Sequence, residues 1–273
     1  MSRALSWLRK LGWKKWLLIA APIVIIILVV VVAVPAIMYY SRNRHPVDYS
    51  ETLAQATAVY SVTYESDGFS DNSTFTRKVI EIGVKEDSQI CFHVTTVYDP
   101  YPRRRVSSIL GSMTPKLGNE DVWRNQGDLR AVQTISLETD VPVLNTVRIT
   151  STYSQYANYP GWPYHLGDSW TYQKLDTPDS PLQKPWTNTF QADVVSDNAM
   201  VQVGDKQYQC FEVVHTLTDT TNPHSSGAGI GGTIIEYWYS GGKTIGPIKQ
   251  VDSLNYMGTE IQTVTGDVPL SVF

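Results

Sequence analysis

The sequence predicts a mainly β protein carried on an N-terminal transmembrane helix. Three observations predict it. Trp16 to Tyr40 is a 25-residue apolar run without a charge, the segments after it alternate Val, Ile, Thr and aromatic residues with period two, and the later half of the chain weakly repeats the earlier.

The apolar run exceeds the ~20 residues a helix needs to cross the hydrocarbon layer. Pro22 and Pro35 lie near its ends, where a missing backbone donor costs least. Arg3, Arg9, Lys10, Lys14 and Lys15 precede it with no acid among them, which keeps the N-terminus in the cytoplasm. Trp13, Trp16, Tyr39 and Tyr40 mark both ends as interfacial aromatics do. Ala33-Val34-Pro35-Ala36 loosely resembles a signal-peptide cleavage site, but the run is too long for an h-region and carries proline at the scissile position, so an uncleaved signal-anchor is the expectation. Residues 1–15 are then a cytoplasmic tail, 16–40 a single-pass transmembrane helix partnered by the lipid bilayer of the cell membrane, 41–57 a polar stalk, and 58–273 an extracytoplasmic domain.

That domain is acidic. Seven of the 22 Lys and Arg precede His45, so 15 remain against all 26 Asp and Glu, a balance of −11 from His45 onward. Such a balance argues against nucleic acid and anionic lipid as partners of the domain as a whole and fits a solubilising surface.

Strands are expected over 58–64, 75–84, 90–98, 129–137 and 146–153, separated by turn clusters such as Ser66-Asp67-Gly68 and Lys85-Glu86-Asp87-Ser88. No segment after the anchor sustains helical periodicity, so an antiparallel meander is the economical arrangement. QICFHVTTVYD at 89–99 matches YQCFEVVHTLTD at 208–219, and Asp121-Val122-Trp123 matches Glu236-Tyr237-Trp238. The Cys-to-Trp separations are 32 and 28 residues, which gives two copies of one unit over about 58–152 and 165–270. Each copy alone would expose much apolar surface, so the two are expected to fuse into one strongly curved, half-barrel-like sheet.

YHLGDSWTY at 164–172 and YWYSGGKTIGPIK at 237–249 resemble a group of uncharacterised, surface-exposed bacterial and archaeal β-proteins. These are themselves similar to the lipoprotein-carrier half-barrels of the LolA and LppX type. The resemblance implies a curved antiparallel sheet whose concave face takes an acyl chain, and it supplies no catalytic residue.

Candidate residues follow from the repeat. Phe92, Val94, Phe211 and Val213 share one face of the matched strands and are the expected lining of either a ligand cavity or a closed core. Arg103, Arg104 and Arg105 form the basic cluster of the domain, with the charge to seat a phosphate or lipid headgroup. Cys91 and Cys210 occupy equivalent positions: outside the cytoplasm they invite a disulfide, and as strand residues they equally suit two buried thiols. Cys91 with His93, and Cys210 with Glu212, would share faces, but no Cys-x-x-Cys spacing supports a metal site. The five histidines sit in no catalytic signature, and no cofactor motif occurs. Ser225 to Gly232 is glycine-rich without a helix after it, so it reads as a hairpin loop before a strand over 233–239. Tyr153, Tyr156, Tyr159, Trp162, Tyr164, Trp170 and Tyr172 crowd the joint between copies; Pro160, Gly161 and Pro163 fix an irregular path there that suits inward packing better than display to a glycan.

The functional expectation is a membrane-anchored, non-enzymatic protein that binds an apolar or amphipathic ligand. An envelope interaction module for protein or glycan is the alternative from another class, and hydrolysis is third because no residue spacing supports it.

Overall fold

A computed structural model describes residues 56–66, 69–103, 106–108, 111–113, 116–141, 145–222, 230–242, 244–254 and 259–265. The expected tail and transmembrane helix, and the stalk up to residue 55, lie outside the described residues. Thr57, assigned to the stalk from sequence, already belongs to the first strand.

Among the described residues fourteen strands follow in chain order. They are β1 (Thr57–Ser66), β2 (Phe69–Glu86), β3 (Gln89–Asp99), β4 (Val106–Ser108), β5 (Gly111–Met113), β6 (Lys116–Asn125), β7 (Ala131–Val141), β8 (Asn145–Ala157), β9 (Ser169–Pro178), β10 (Trp186–Val203), β11 (Lys206–Thr220), β12 (Thr233–Tyr239), β13 (Lys249–Asp252) and β14 (Thr259–Val264). β4 and β5 form a small separate hairpin within the β3–β6 connection, and the other twelve pair antiparallel into one closed barrel.

Closure corrects the half-barrel expectation. β1 and β14 would be the edges of an open sheet, yet they pair over Tyr60↔Val264 to Glu65↔Thr259. A closed sheet has no edge to protect, whereas an open one leaves two rows of unpaired backbone groups. Six barrel strands precede residue 158 and six follow residue 168, and β8 pairs with β9 where the two sets meet. Corresponding strands have equal lengths at the start of each set: β1 and β9 have 10 residues, β2 and β10 have 18. The matched segments QICFHVTTVYD and YQCFEVVHTLTD lie on β3 and β11.

Local sequence explains the long hairpins. Asp87 and Ser88 both take positive φ between Glu86 and Gln89, the mirror-image turn whose twist matches paired strands. Both 18-residue strands carry register shifts, between Val79 and Val84 on β2 and between Val194 and Ala199 on β10. Gly83 supplies the positive φ at the first of these bulges, which bend the strands around the barrel.

Alternation sorts the side chains. On β9 the inward row is Trp170, Tyr172, Lys174 and Asp176, while Ser169, Thr171 and Gln173 point out. Arg148, Thr150 and Thr152 on β8, and Thr187, Thr189 and Gln191 on β10, continue the polar outer wall. Exposed apolar side chains share the outer wall, among them Val59, Ile80, Val97, Leu175 and Met200.

Because neighbouring strands run antiparallel, the connections alternate between two ends. One end gathers segments 158–168 and 240–248 together with the start of β1. There Trp162 and Tyr164 enter the barrel and meet Phe211 and Trp238, with centroid separations from Trp162 of 5.3, 5.6 and 6.1 Å. Ile245 and Ile248, both fully buried, complete this plug. The inward path expected from Pro160, Gly161 and Pro163 is the one the chain takes.

Candidate functional site

Above the plug the barrel encloses a cavity of about 360 Å3, in the lower part of the ~300–1,000 Å3 span of small-molecule sites. Its wall changes character along the barrel axis.

The floor is aromatic. Tyr156 stacks on Tyr172 at 5.4 Å and meets Tyr159 edge-on at 5.3 Å, while Tyr164 stacks on Trp170 at 5.4 Å. The hydroxyls are satisfied at the periphery: Tyr156 donates to the Ala131 carbonyl at 2.9 Å and Tyr159 to that of Asp128 at 2.8 Å. Burial pushes the Tyr156, Tyr159 and Tyr172 hydroxyls well above the ordinary tyrosine range, so they stay neutral. What this floor offers a ligand is ring surface.

Toward the other end the wall is charged. Asp176 is held by three groups: the Ser151 hydroxyl donates at 2.5 Å, the Asn188 amide at 3.0 Å, and the Lys174 ammonium stands at 3.0 Å. Burial is the largest influence and alone would lower the Lys174 ammonium, but the Asp176 charge and hydrogen bond, with Tyr153 and Asp252, together outweigh it and raise it. Lys174 therefore remains a cation inside the protein.

A second network crosses the middle. His215 Nε2 faces the Glu236 carboxylate at 3.4 Å, and the Trp238 indole N–H donates to the same oxygen at 2.9 Å. On its other side, His215 Nδ1 and the Tyr172 hydroxyl stand within hydrogen-bond distance at 3.1 Å. Burial would raise the Glu236 carboxyl, but the His215 contact, the Arg124 charge and the Trp238 bond outweigh it and hold it at about 2. Arg124 lies 5.2 Å over the Trp238 ring and donates to the Leu129 carbonyl at 3.1 Å. This arrangement fixes a charge and an imidazole in place. The described partners of His215 include no serine, threonine or cysteine hydroxyl or thiol for it to activate.

Arg77 completes the wall from β2. It is 8% exposed, and its guanidinium lies 4.9 and 5.1 Å from the stacked rings of Tyr60 and Phe75. It donates to Gln262 across β1 at 3.4 Å.

The residues singled out from sequence fall in several places. Val94 lines the cavity. Phe92 and Val213 point inward but are fully buried in the core, and Phe211 packs on Trp162 in the plug. Arg103 is half-buried in the β3–β6 connection, where its backbone N–H donates to Asp71 at 2.6 Å, away from the cavity; Arg104 and Arg105 lie outside the described residues. Of the two arrangements open to Cys91 and Cys210, the structure holds them as buried free thiols. Among the described residues no cluster of three His, Cys, Asp or Glu could hold a metal ion.

Sequence reasoning missed Arg77, Lys174, Asp176, His215 and Glu236. The signal was present in the phase of alternation: Arg77 lies between Phe75 and Val79, His215 between Val213 and Leu217, and Glu236 between Ile234 and Trp238, each in register with buried residues. Lys174 and Asp176 continue the row begun by Trp170 and Tyr172.

Among the described residues the fold and site thus define a twelve-stranded β-barrel with a lumenal cavity lined by aromatic rings and fixed charges. No protein-family model matches the chain, and no curated protein matches it. A solved structure of a candidate exported protein with a YmcC-like fold from Bacteroides fragilis is similar at 13% identity, covering 77% of this chain and 94% of that one with a TM-score of 0.40. A likeness of that degree carries no argument about the site.

Proposed function

We propose that this chain is a membrane-anchored, non-enzymatic binding protein of the extracytoplasmic face, whose barrel takes a small amphipathic ligand into its lumen. The observation that carries the reading is the layered cavity. Ring surface at the plugged end offers an apolar ligand body burial worth about 25 cal/mol per Å2, and the fixed charges of the lumen wall, from Arg77 beside the 240–248 segment to Lys174 toward the other end, offer its polar end partners without reorganisation. A purely apolar acyl chain suits this lumen less well, because it would strip water from Arg77, Lys174, Asp176 and Glu236 and return no hydrogen bond. The anchor and its orientation rest on the run from Trp16 to Tyr40 and the basic residues before it.

The test is binding of a neutral amphipathic naphthalene fluorophore to the full chain in lipid nanodiscs, with empty nanodiscs as background. Wild type should bind one equivalent saturably. Ser136→Trp, which places a large ring in the lumen, should abolish that component. Equal signals from wild type, the variant and empty nanodiscs would overturn the proposal.

A further inference from the structure

We infer that the lumenal ligand is a carboxylate-bearing amphipath, its apolar or ring-bearing body on the aromatic floor and its carboxylate on the guanidinium of Arg77. The inference rests on the proposed lumenal binding and names the chemistry of the ligand's polar end.

Arg77 is a permanent cation buried to nine-tenths and facing the cavity. Two of the other lumenal cations have acids within salt-bridge distance, Lys174 with Asp176 at 3.0 Å and Arg130 with Asp128 at 3.4 Å, and Arg124 donates to the Leu129 carbonyl and lies over the Trp238 ring. Among the described residues no carboxylate comes within that distance of Arg77. Its neighbours are two ring faces, the Tyr60 hydroxyl and one long hydrogen bond to Gln262. A guanidinium has five N–H donors in a planar fork, so most of its capacity is uncommitted. Burying such a group without an anion is costly, and the cost is recovered only when an anion arrives with matching geometry.

The position is built into the fold. Tyr60 and Phe75 stack on each other at 4.7 Å and hold the guanidinium on their faces. Gly246 in the 240–248 segment makes room: a Cβ there would stand 2.9 Å from Arg77 Nη1. Edge-on bidentate contact is how a carboxylate meets arginine, and the Arg77 fork has donors beyond its long bond to Gln262 to make it. A carboxylate matches the one positive charge of Arg77. Glu120, also in the cavity wall, is the competing explanation, since its charge acts on Arg77 from beyond ion-pair distance.

Isothermal titration of the full chain in phosphatidylcholine nanodiscs with 4-phenylbutyrate, 4-phenylbutanol, 4-phenylbutylamine and acetate tests the inference. Wild type should bind the phenyl acid at least tenfold more tightly than the alcohol, and the amine and acetate more weakly still. Arg77→Gln should bring the acid down to the level of the alcohol, and Glu120→Gln should bind it at least as tightly as wild type. Equal affinity for acid and alcohol in wild type overturns the carboxylate assignment while leaving lumenal binding intact. Acetate binding as tightly as the phenyl acid overturns the amphipath and leaves a bare anion site. No saturable binding of any of the four overturns both readings. Should Arg77→Gln fail to fold, the wild-type selectivity decides alone.

Discussion

Trp162 is the side chain whose removal most directly probes the plug. It is 5% exposed and makes close ring contacts with Tyr164, Phe211 and Trp238. Deleting a buried tryptophan costs about 3–5 kcal/mol in lost transfer energy and residual cavity. The edge-to-face contacts with Tyr164 and Phe211 belong to the class worth about 0.5–1.5 kcal/mol each beyond area, part of which overlaps the first figure. We expect Trp162→Ala to destabilise the barrel by about 3–5 kcal/mol, which for a domain of 150–250 residues lowers Tm by about 6–20 °C. Differential scanning fluorimetry of the full chain in nanodiscs, using the intrinsic tyrosine and tryptophan signal, reads the shift. A loss under about 0.5 kcal/mol, the range of surface substitutions, would show that the 158–168 segment displays its rings outward and would refute the plug.

Asp176→Ala should cost about 3–5 kcal/mol because it strands Lys174 in the lumen, and Lys174→Met in the same chain should recover most of that loss by urea denaturation. Glu236 gives an acid-side dependence. Its carboxyl is held at about 2 in the fold, below the ordinary 4.5, so its stabilisation is present above the unfolded value and is lost as pH falls through the folded one. Wild type should therefore lose its stability advantage over Glu236→Gln between about pH 4.5 and 2, and a constant difference across that range would contradict the His215–Glu236 pairing. Burial pushes the Cys91 thiol up to about 11 and the Cys210 thiol up to about 12. At pH 8 iodoacetamide should label neither in the native protein and both after denaturation without reductant, whereas labelling that required reductant would establish a disulfide.

Much of the fold was legible in local sequence because strand alternation is local. The expected strand over 75–84 lies within β2 and that over 90–98 within β3, and the glycine-rich segment before Thr233 leads into β12. Leu129, read as the start of a strand, instead caps the β6–β7 turn with positive φ. Closure was not legible. It depends on Tyr60 meeting Val264 across more than two hundred residues, and no short-range pattern reports a pairing of that separation.

The site was hidden by a habit of interpretation rather than by lack of signal. Charged residues in strands are ordinarily assigned to the solvent face, yet Lys174 and Asp176 hold the same phase as Trp170 and Tyr172 and so must point inward. A charge that keeps step with buried aromatics marks a polar lumen. Phe92 and Val213, whose inward direction was foreseen, pack the core instead of lining the cavity.

The most direct test of lumenal amphipath binding is fluorine NMR of the full chain carrying 3-fluorotyrosine, titrated with 4-phenylbutanol in nanodiscs. Tyr153, Tyr156 and Tyr172 line the cavity, whereas Tyr101 is exposed on the outside. The account predicts saturable shifts of the lumenal resonances with Tyr101 unmoved; shifts confined to Tyr101, or drifting linearly and alike across all tyrosines, would contradict it.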